Sequence, residues 1–148
     1  MTYKEEIKDL FSLTNDYYYF VQCISADFDM GKGIAVLFNQ NFDTKNHLIS
    51  KYDSYTSIWD NTIKKGFCIK DGKILNLVTK RNYWLKPTYD TLQNSLNKLK
   101  NIVIAYDIHK LAMPQIGCGL DELSWEIVSS MIRKTFEDLS IEILVCKL

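Results

Sequence analysis

A chain of 148 residues is long enough for one domain that buries about two thirds of its unfolded surface. Its composition is that of a globular protein, with 47% hydrophobic and 24% charged residues. Eighteen basic residues balance eighteen acidic ones, so no global positive field exists to hold nucleic acid or an anionic membrane without a specific site.

The cysteines and the N-terminal segment indicate the class of protein. The four cysteines are scattered and form no Cys-x-x-Cys pair, which argues against a zinc cage. The first nine residues are charged and lack a signal core, and no apolar run approaches membrane-spanning length. We expect a reduced, soluble, cytoplasmic protein without metal or cofactor. His47 and His109 lie in no recognisable motif, so a plain surface or core role is expected for both.

Strand and helix signals alternate in the first half of the chain. Residues 17–25 form an aromatic and β-branched run, which indicates a strand buried on both faces. In chain order, the predicted elements are an edge strand at 2–8, a turn at 12–16, the strand at 17–25, a glycine loop at 26–33, a helix beginning at 34, and a short helix at 42–50.

In the second half, Asp71-Gly72 is the strongest hairpin signal. Pro87 is predicted at the first position of a helix, where its missing N–H costs little. Apolar residues spaced by four, three, four and three positions extend that helix to about Tyr106. The elements predicted here are hairpin strands at 66–70 and 73–79, a loop at 82–86, the helix after Pro87, a strand at 108–113, a helix capped by Ser124 or Asp121, and an internal strand at 141–146.

Two glycine turns stand between a predicted strand and a predicted helix. Gly117 and Gly119 form one, and Gly31 and Gly33 form the other. Without a Cβ, such turns let backbone N–H groups approach an anion closely, although a bare Gly-x-Gly more often marks an ordinary turn. Alternating elements predict an α/β sandwich with helices on both faces. Ligands of such sheets collect at the carboxyl ends of the strands, so loops 25–33, 80–86 and 114–121 can share one cleft.

Four segments carry recognisable motifs: Cys23-Ile24-Ser25, Met30-Gly31-Lys32-Gly33-Ile34-Ala35-Val36-Leu37-Phe38, Thr79-Lys80 seven residues ahead of Pro87-Thr88-Tyr89, and Met113-Pro114 with Ile116-Gly117-Cys118-Gly119-Leu120-Asp121. Together they resemble the macrodomain family, in particular its terminal ADP-ribose protein glycohydrolase (ALC1-like) branch. The resemblance runs from about residue 9 to the end of the chain. It implies a three-layer α/β/α sandwich with a mixed central sheet, as a single macrodomain over residues 1–148.

The resemblance also implies an ADP-ribose site. By analogy with the family, its binding residues are Asp9, Leu10 and Leu148 at the adenine end, Ser25 in the ligand loop, Gly31 and Gly33 on the phosphate side, and Gln115, Ile116, Gly117, Cys118, Gly119 and Leu120 around the diphosphate and the distal ribose. Two helix-start loops facing one diphosphate would each supply N–H donors and a positive dipole end.

In this branch catalysis is assigned to a lysine and an aspartate, which Lys80 and Asp121 match. The implied mechanism has Asp121 act as general acid/base while the distal ribose opens, and Lys80 attack the anomeric carbon to give a transient covalent adduct. A lysine amine is a nucleophile only without its proton, a form that burial or a nearby cation favours. Arg81 and Lys86 are candidate cations, whereas Asp121 acts in the opposite sense. Cys118 has no histidine partner in its motif, so we expect it to pack in the loop.

The chain departs from the family at a few positions. Gln22 and Gln115 stand where relatives carry a basic or imidazole side chain. The loop after Lys80 is unusually aromatic, and our hypothesis is that Trp84 packs over the cleft or against the modified substrate.

The resemblance leaves three functions open. The first is hydrolysis of the bond between ADP-ribose and an acceptor, which could be Glu or Asp of a protein, O-acetyl-ADP-ribose or a nucleobase. The second is a reader module that binds ADP-ribose without turnover. The third is a phosphatase on the same fold, ranked last because no metal-ligand set or nucleophile–histidine pair is visible. The expected partners are ADP-ribose and an ADP-ribosylated protein or nucleic acid, with no membrane, and the expected state is a monomer.

Overall fold

The computed structural model of the protein describes residues 1–13 and 17–147. Part of the predicted turn at 12–16 and the predicted ligand residue Leu148 lie outside the described residues. The strands are β1 (Thr2–Ile7), β2 (Tyr19–Ser25), β3 (Phe67–Asp71), β4 (Ile74–Lys80), β5 (Lys110–Met113) and β6 (Glu142–Lys147). The helices are a 3-10 turn (Leu10–Leu13), α1 (Ile34–Phe42), α2 (Thr44–Tyr52), α3 (Thr56–Asp60), α4 (Tyr89–Ala105) and α5 (Trp125–Phe136).

The six strands form one mixed sheet in the order β1-β6-β5-β2-β4-β3. All neighbouring strands are parallel except β3 and β4, which form the antiparallel hairpin predicted at Asp71-Gly72. The strand predicted at 2–8 is an edge strand, and the one predicted at 141–146 lies between β1 and β5. None of the described helices is long and apolar enough to cross a membrane.

Helices cover both faces of the sheet, which confirms the three-layer α/β/α sandwich. Alternate residues of β2 point to opposite faces, so Val21 packs with α4 and α5 while Phe20 packs with α1. The first core contains the apolar stripes of α4 and α5, and the second face is closed by Phe38, Leu48 and Trp59 of α1, α2 and α3.

The start of α4 differs from the prediction. Pro87 lies before the helix, because Thr88 is the N-cap and Tyr89 is the first helical residue. The Thr88 hydroxyl accepts from the Thr91 N–H at 3.1 Å, and the Thr91 hydroxyl accepts from the Thr88 N–H at 3.1 Å. This reciprocal pair satisfies two donors of the first turn, so the cap rather than the proline determines where the helix begins.

The cap predicted for α5 is only partly correct. Ser124 occupies the N-cap position, but its side chain makes no capping hydrogen bond. Its N–H donates instead to the Tyr89 hydroxyl at 3.1 Å, which joins the starts of α4 and α5. Asp121 does not cap the helix either. Its carboxylate accepts a hydrogen bond from Lys80 instead.

Gly66 lets β3 enter the sheet directly beside α4. Its φ of +128° is in the region that L side chains rarely adopt. A Cβ at this position would lie 2.3 Å from the carbonyl oxygen of Thr91. The close approach of the two backbones therefore requires glycine.

We predict that Gly66→Ala destabilises the protein by at least about 2 kcal/mol more than Gly72→Ala. Gly72 also has a positive φ, but a Cβ there would meet no atom within 4 Å, so it is a matched control for backbone strain without a clash. Urea denaturation of both variants measures the difference in the free energy of unfolding. Equal free energies of unfolding for the two variants would contradict the steric argument.

Candidate active site

Three loops open at the carboxyl ends of parallel strands and line one cleft of about 940 Å³. They are residues 25–33 after β2, residues 80–86 after β4 and residues 114–121 after β5, as the sequence predicted. The volume is in the range of sites for small molecules and cofactors. The 3-10 turn and the end of β6 close the opposite end of the cleft.

The predicted site residues that the structure describes all lie together in this cleft. Those that line it are Asp9, Leu10, Ser25, Gly31, Gly33, Lys80, Gln115, Ile116, Gly117, Cys118, Gly119, Leu120 and Asp121. Asp9 and Leu10 lie with Lys147 at the end of β1 and β6, whereas Lys80 and Asp121 belong to the loops after β4 and β5. The cleft therefore has an end formed by the 3-10 turn and an end formed by the lysine–aspartate pair.

Lys80 and Asp121 form an ion pair within the cleft. The Lys80 Nζ donates to Asp121 Oδ1 at 2.7 Å, and the two side chains are only 14% and 16% exposed. Lys80 is the last residue of β4, and a register shift at Ile24 and Ser25 brings Ser25 opposite Lys80. One carboxyl edge of the sheet thus presents an amine, a carboxylate and a hydroxyl-bearing residue to the cleft.

Of the two candidate cations, Lys86 lines the cleft, whereas Arg81 does not and is paired with Asp60, which corrects the prediction for Arg81. Its Nε and Nη2 donate to the two carboxylate oxygens of Asp60 at 2.7 and 2.9 Å, on the outer side of the loop. Lys86 donates to the carbonyl oxygen of Leu120 and lies 3.7 Å from Glu122. The immediate charged partner of Lys80 is therefore Asp121.

The three cysteines that line the cleft, Cys23, Cys118 and Cys146, are protonated thiols at neutral pH, because burial raises the pKa of each. Burial, with the nearby Asp121 carboxylate, raises the pKa of Cys118 to about 11. Burial, assisted by Asp121, raises the pKa of Cys23 still further. The Cys118 thiol donates to the Ile116 carbonyl at 3.3 Å. Since a thiolate is the reactive form of cysteine, Cys118 packs in the loop rather than acting as a nucleophile.

The two glycine turns contain glycine for different structural reasons. Gly33 is the N-cap of α1 and has a φ of +63°. The first turn of this helix lines the cleft. Gly117 has a φ of +74°, and a Cβ on it would lie 3.1 Å from Leu123. Gly119 has no such neighbour, and Gly31 donates its N–H to Asp29 Oδ1 at 3.0 Å. A helix start and a tight turn therefore border the same space, and such backbone arrangements favour negative charge.

The loop after Lys80 carries two exposed aromatic side chains at the rim of the cleft, which we call the aromatic arm (Tyr83 and Trp84). Their rings pack edge to face with centroids 5.1 Å apart. Tyr83 is 48% exposed and Trp84 is 64% exposed, yet both line the cleft. An exposed aromatic pair beside the lysine–aspartate pair is available to a bound molecule.

Asp27 does not line the cleft but joins two of its loops, and it was not predicted from the sequence. Its carboxylate accepts from the Ser25 hydroxyl and the Asp29 N–H within its own loop, and from the Tyr83 N–H in the loop after β4. Asp29 and Lys32 line the cleft and were not predicted either. The only signal was a run of aspartates beside the glycines, which says nothing about a partner more than 50 positions away.

Three other sequence expectations concern the two glutamines, the two histidines and metal binding. Gln22 is buried in the sheet and donates to Asn76 Oδ1 at 2.9 Å, so this departure from the family is a core feature, whereas Gln115 lines the cleft. His47 and His109 are exposed and pair with Asp71 and Asp107, which confirms their plain surface roles. Among the described residues, no group of His, Cys, Asp or Glu could hold a metal ion.

Comparisons with known proteins identify relatives with a similar sequence and structures with the same fold. The chain is 41% identical over 124 residues to the ADP-ribose glycohydrolase OARD1 of Homo sapiens, covering 83% of this chain and 77% of that protein. The macrodomain of Thermus aquaticus DarG has the same fold, with a TM-score of 0.80, 21% identity and 99% of each chain covered. Thermosipho africanus DarTG in complex with ADP-ribose matches with a TM-score of 0.75 and 19% identity, over 100% of this chain and 42% of that one.

No protein-family model matches the chain. The matches are of the OARD1 and DarG types, so they do not support the ALC1-like branch that the motifs suggested. The identity to OARD1 extends over most of both proteins, and the fold agrees with that of the macrodomain structures. The chain therefore belongs to the macrodomain family, in the group of the ADP-ribose glycohydrolase OARD1, and it is a hydrolase.

Proposed function

We propose that the protein hydrolyses the bond between ADP-ribose and an acceptor, with Lys80 as nucleophile and Asp121 as acid/base. The observation that carries this proposal is the contact of 2.7 Å between Lys80 Nζ and Asp121 Oδ1 within the cleft. An ion pair with this little exposure costs desolvation free energy, so its presence in a cleft argues for a chemical role. The DarTG complex with ADP-ribose on the same fold supports ADP-ribose as the ligand.

The proposed reaction has two stages. Asp121 first takes a proton from Lys80, and the free amine forms a bond to the anomeric carbon of the distal ribose. The bond from that carbon to the acceptor breaks, and the acceptor leaves with the electron pair and takes the proton from Asp121. Water then replaces Nζ at the anomeric carbon, which releases ADP-ribose and restores the lysine. The products are ADP-ribose and the protonated acceptor.

The glycine turns would hold the diphosphate in this scheme. The start of α1 and the turn at Gly117 border the same part of the cleft, and both offer backbone N–H groups to an anion. The acceptor would leave on the side of Lys80, where the aromatic arm forms the rim. Side chains of Glu or Asp in a protein, an acetyl ester and a nucleobase all remain candidate acceptors for this position.

We predict that Lys80→Ala and Asp121→Ala each lower the rate of ADP-ribose release by about 100-fold or more, because each removes a group that acts on the reacting bond. The assay measures ADP-ribose released from auto-modified protein and from ADP-ribosylated DNA. Lys100 of α4 and Asp138, just after α5, form an ion pair of 2.8 Å outside the cleft lining, so Lys100→Ala and Asp138→Ala are matched controls with unchanged rates. Equally low release by the intact protein and both cleft variants would support a reader module instead.

We also propose that Trp84 contacts the acceptor rather than ADP-ribose itself. Trp84 lies four residues after Lys80, is 64% exposed, and lines the cleft at the end where the acceptor would leave. Aromatic side chains at such positions contribute contact area that a bound group covers. This position makes the arm a candidate determinant of which acceptor is processed.

We predict that Trp84→Ala lowers kcat/KM about tenfold on acceptor-linked substrates, which corresponds to one lost aromatic contact. Free ADP-ribose should bind with an unchanged Kd, as measured by calorimetry. Tyr106→Ala is the control, because Tyr106 is 60% exposed but does not line the cleft. Unchanged turnover of Trp84→Ala on every substrate tested would show that the arm has no role in acceptor recognition.

A further inference from the structure

Asp27 joins two of the three loops that form the cleft. Within its own loop, Oδ1 accepts from the Ser25 hydroxyl and from the Asp29 N–H at 3.1 Å. Across the cleft rim, Oδ2 accepts from the Tyr83 N–H at 3.0 Å and faces the Asn82 amide nitrogen at 3.5 Å. Each carboxylate oxygen therefore serves a different loop.

The hydrogen bonds that the two oxygens accept stabilise different parts of the site. The bonds to Oδ1 shape the turn that leads to Gly31 and the ligand loop. The bond to Oδ2 connects the first residue of the aromatic arm to the ligand loop. Tyr83 and Trp84 are largely exposed, so side-chain packing does little to hold them. Their position depends on backbone contacts of this loop.

The loop after β4 has two further side-chain anchors to other segments, and its own turn is closed by a bond from the Leu85 N–H to the Asn82 carbonyl at 3.1 Å. Arg81 donates to Asn82 Oδ1 at 2.8 Å and connects it to Asp60 of α3. At the other end, Lys86 donates to the Leu120 carbonyl of the third loop. Between these two anchors, the bond from the Tyr83 N–H to Asp27 is the contact that joins the arm itself to another loop.

The carboxylate of Asp27 is ionised at neutral pH, as this arrangement requires. Burial acts to raise its pKa, but the hydrogen bonds that it accepts from Ser25, Asp29, Tyr83 and Asn82 outweigh burial and hold the pKa below its usual value. An ionised carboxylate only accepts hydrogen bonds, so both oxygens match the donors around them.

We propose that Asp27 is a positioning residue for the acceptor end of the cleft: it fixes the aromatic arm beside Lys80 by binding the Tyr83 N–H across the loop boundary. This inference rests on the proposed function, since it assigns to the arm a task in the same reaction. Asp27 contacts neither the reacting bond nor the diphosphate in this proposal. It acts through Tyr83 and Trp84.

Asp27→Asn separates the two roles of the carboxylate. The asparagine oxygen can still accept from Ser25 and the Asp29 N–H. Its NH₂ group would then face the Tyr83 N–H and the Asn82 amide, so that donors face donors and the bond between the loops is lost. The substitution therefore releases the arm while it leaves the ligand loop supplied with an acceptor.

The expected result has three parts. Amide hydrogen exchange of residues 81–86 becomes faster in Asp27→Asn, because the Tyr83 N–H loses its acceptor. The kcat/KM for acceptor-linked substrates falls about tenfold, while the Kd for free ADP-ribose changes less than about threefold. In the Trp84→Ala background the same substitution has little further effect on kcat/KM, since both changes remove the same contact.

Two more variants make the experiment decisive. Asp138→Asn changes an exposed carboxylate on the surface ion pair with Lys100 and should leave exchange and turnover unchanged. Asn82→Ala removes the second donor that faces Oδ2 and the link to Arg81, so it should act in the same direction as Asp27→Asn with a smaller effect. It also tests the proposal if Asp27→Asn fails to fold.

The proposal is overturned if exchange of residues 81–86 is unchanged in Asp27→Asn, or in Asn82→Ala when the first variant is unfolded. It is also overturned if Asp27→Asn and Trp84→Ala act additively, or if ADP-ribose binding is lost in parallel with turnover. Failure of the proposed function gives a different pattern. In that case the intact protein releases no ADP-ribose, while hydrogen exchange still reports whether Asp27 holds the arm.

Discussion

Parallel pairing of β5, β2 and β4 is the constraint on which the site depends. Parallel strands end at the same edge of a sheet, so the loops that follow them meet there whatever their sequences are. The pairing of β2 with β4 ends in a register shift that brings Ser25 opposite Lys80. Since β5 pairs with β2 on its other side, the loop that carries Asp121 reaches the same place. The ion pair between Lys80 and Asp121 follows from this topology.

That ion pair is more informative about function than about stability. Replacing a shielded pair by apolar groups is often neutral or stabilising, so folding alone gives little reason to keep it. The surrounding cleft is instead lined by glycine turns, a helix start and protonated thiols, and within it the amine and the carboxylate face one another. Arg81, the cation next to Lys80 in sequence, is paired with Asp60, so Asp121 is the charged group in contact with Lys80.

Features that depend on residues close together in the sequence could be predicted, whereas contacts between distant segments could not. Hydrophobic periodicity predicted the strands, α4 and α5, and Asp71-Gly72 predicted the hairpin, because each depends on residues within one element. The partner of Arg81 could not be predicted, because α3 is a helix of five residues without a clear pattern and its position decides where Asp60 lies. The motif resemblance located the cleft correctly, but Asp27 was missed because its partner Tyr83 is 56 positions away.

The sheet and its tight turns fix some residues of the site in place, whereas the aromatic arm lies outside the sheet. Lys80 belongs to a central strand, and Gly33 and Gly117 are turns whose backbone geometry leaves little freedom. The aromatic arm follows the strand and is anchored by a few polar contacts, chiefly through Asp27. Its sequence can therefore change without disturbing the register that places Lys80 beside Ser25. On this argument, proteins that share the fold and the ligand can differ in acceptor through this loop alone, provided that a carboxylate still holds it.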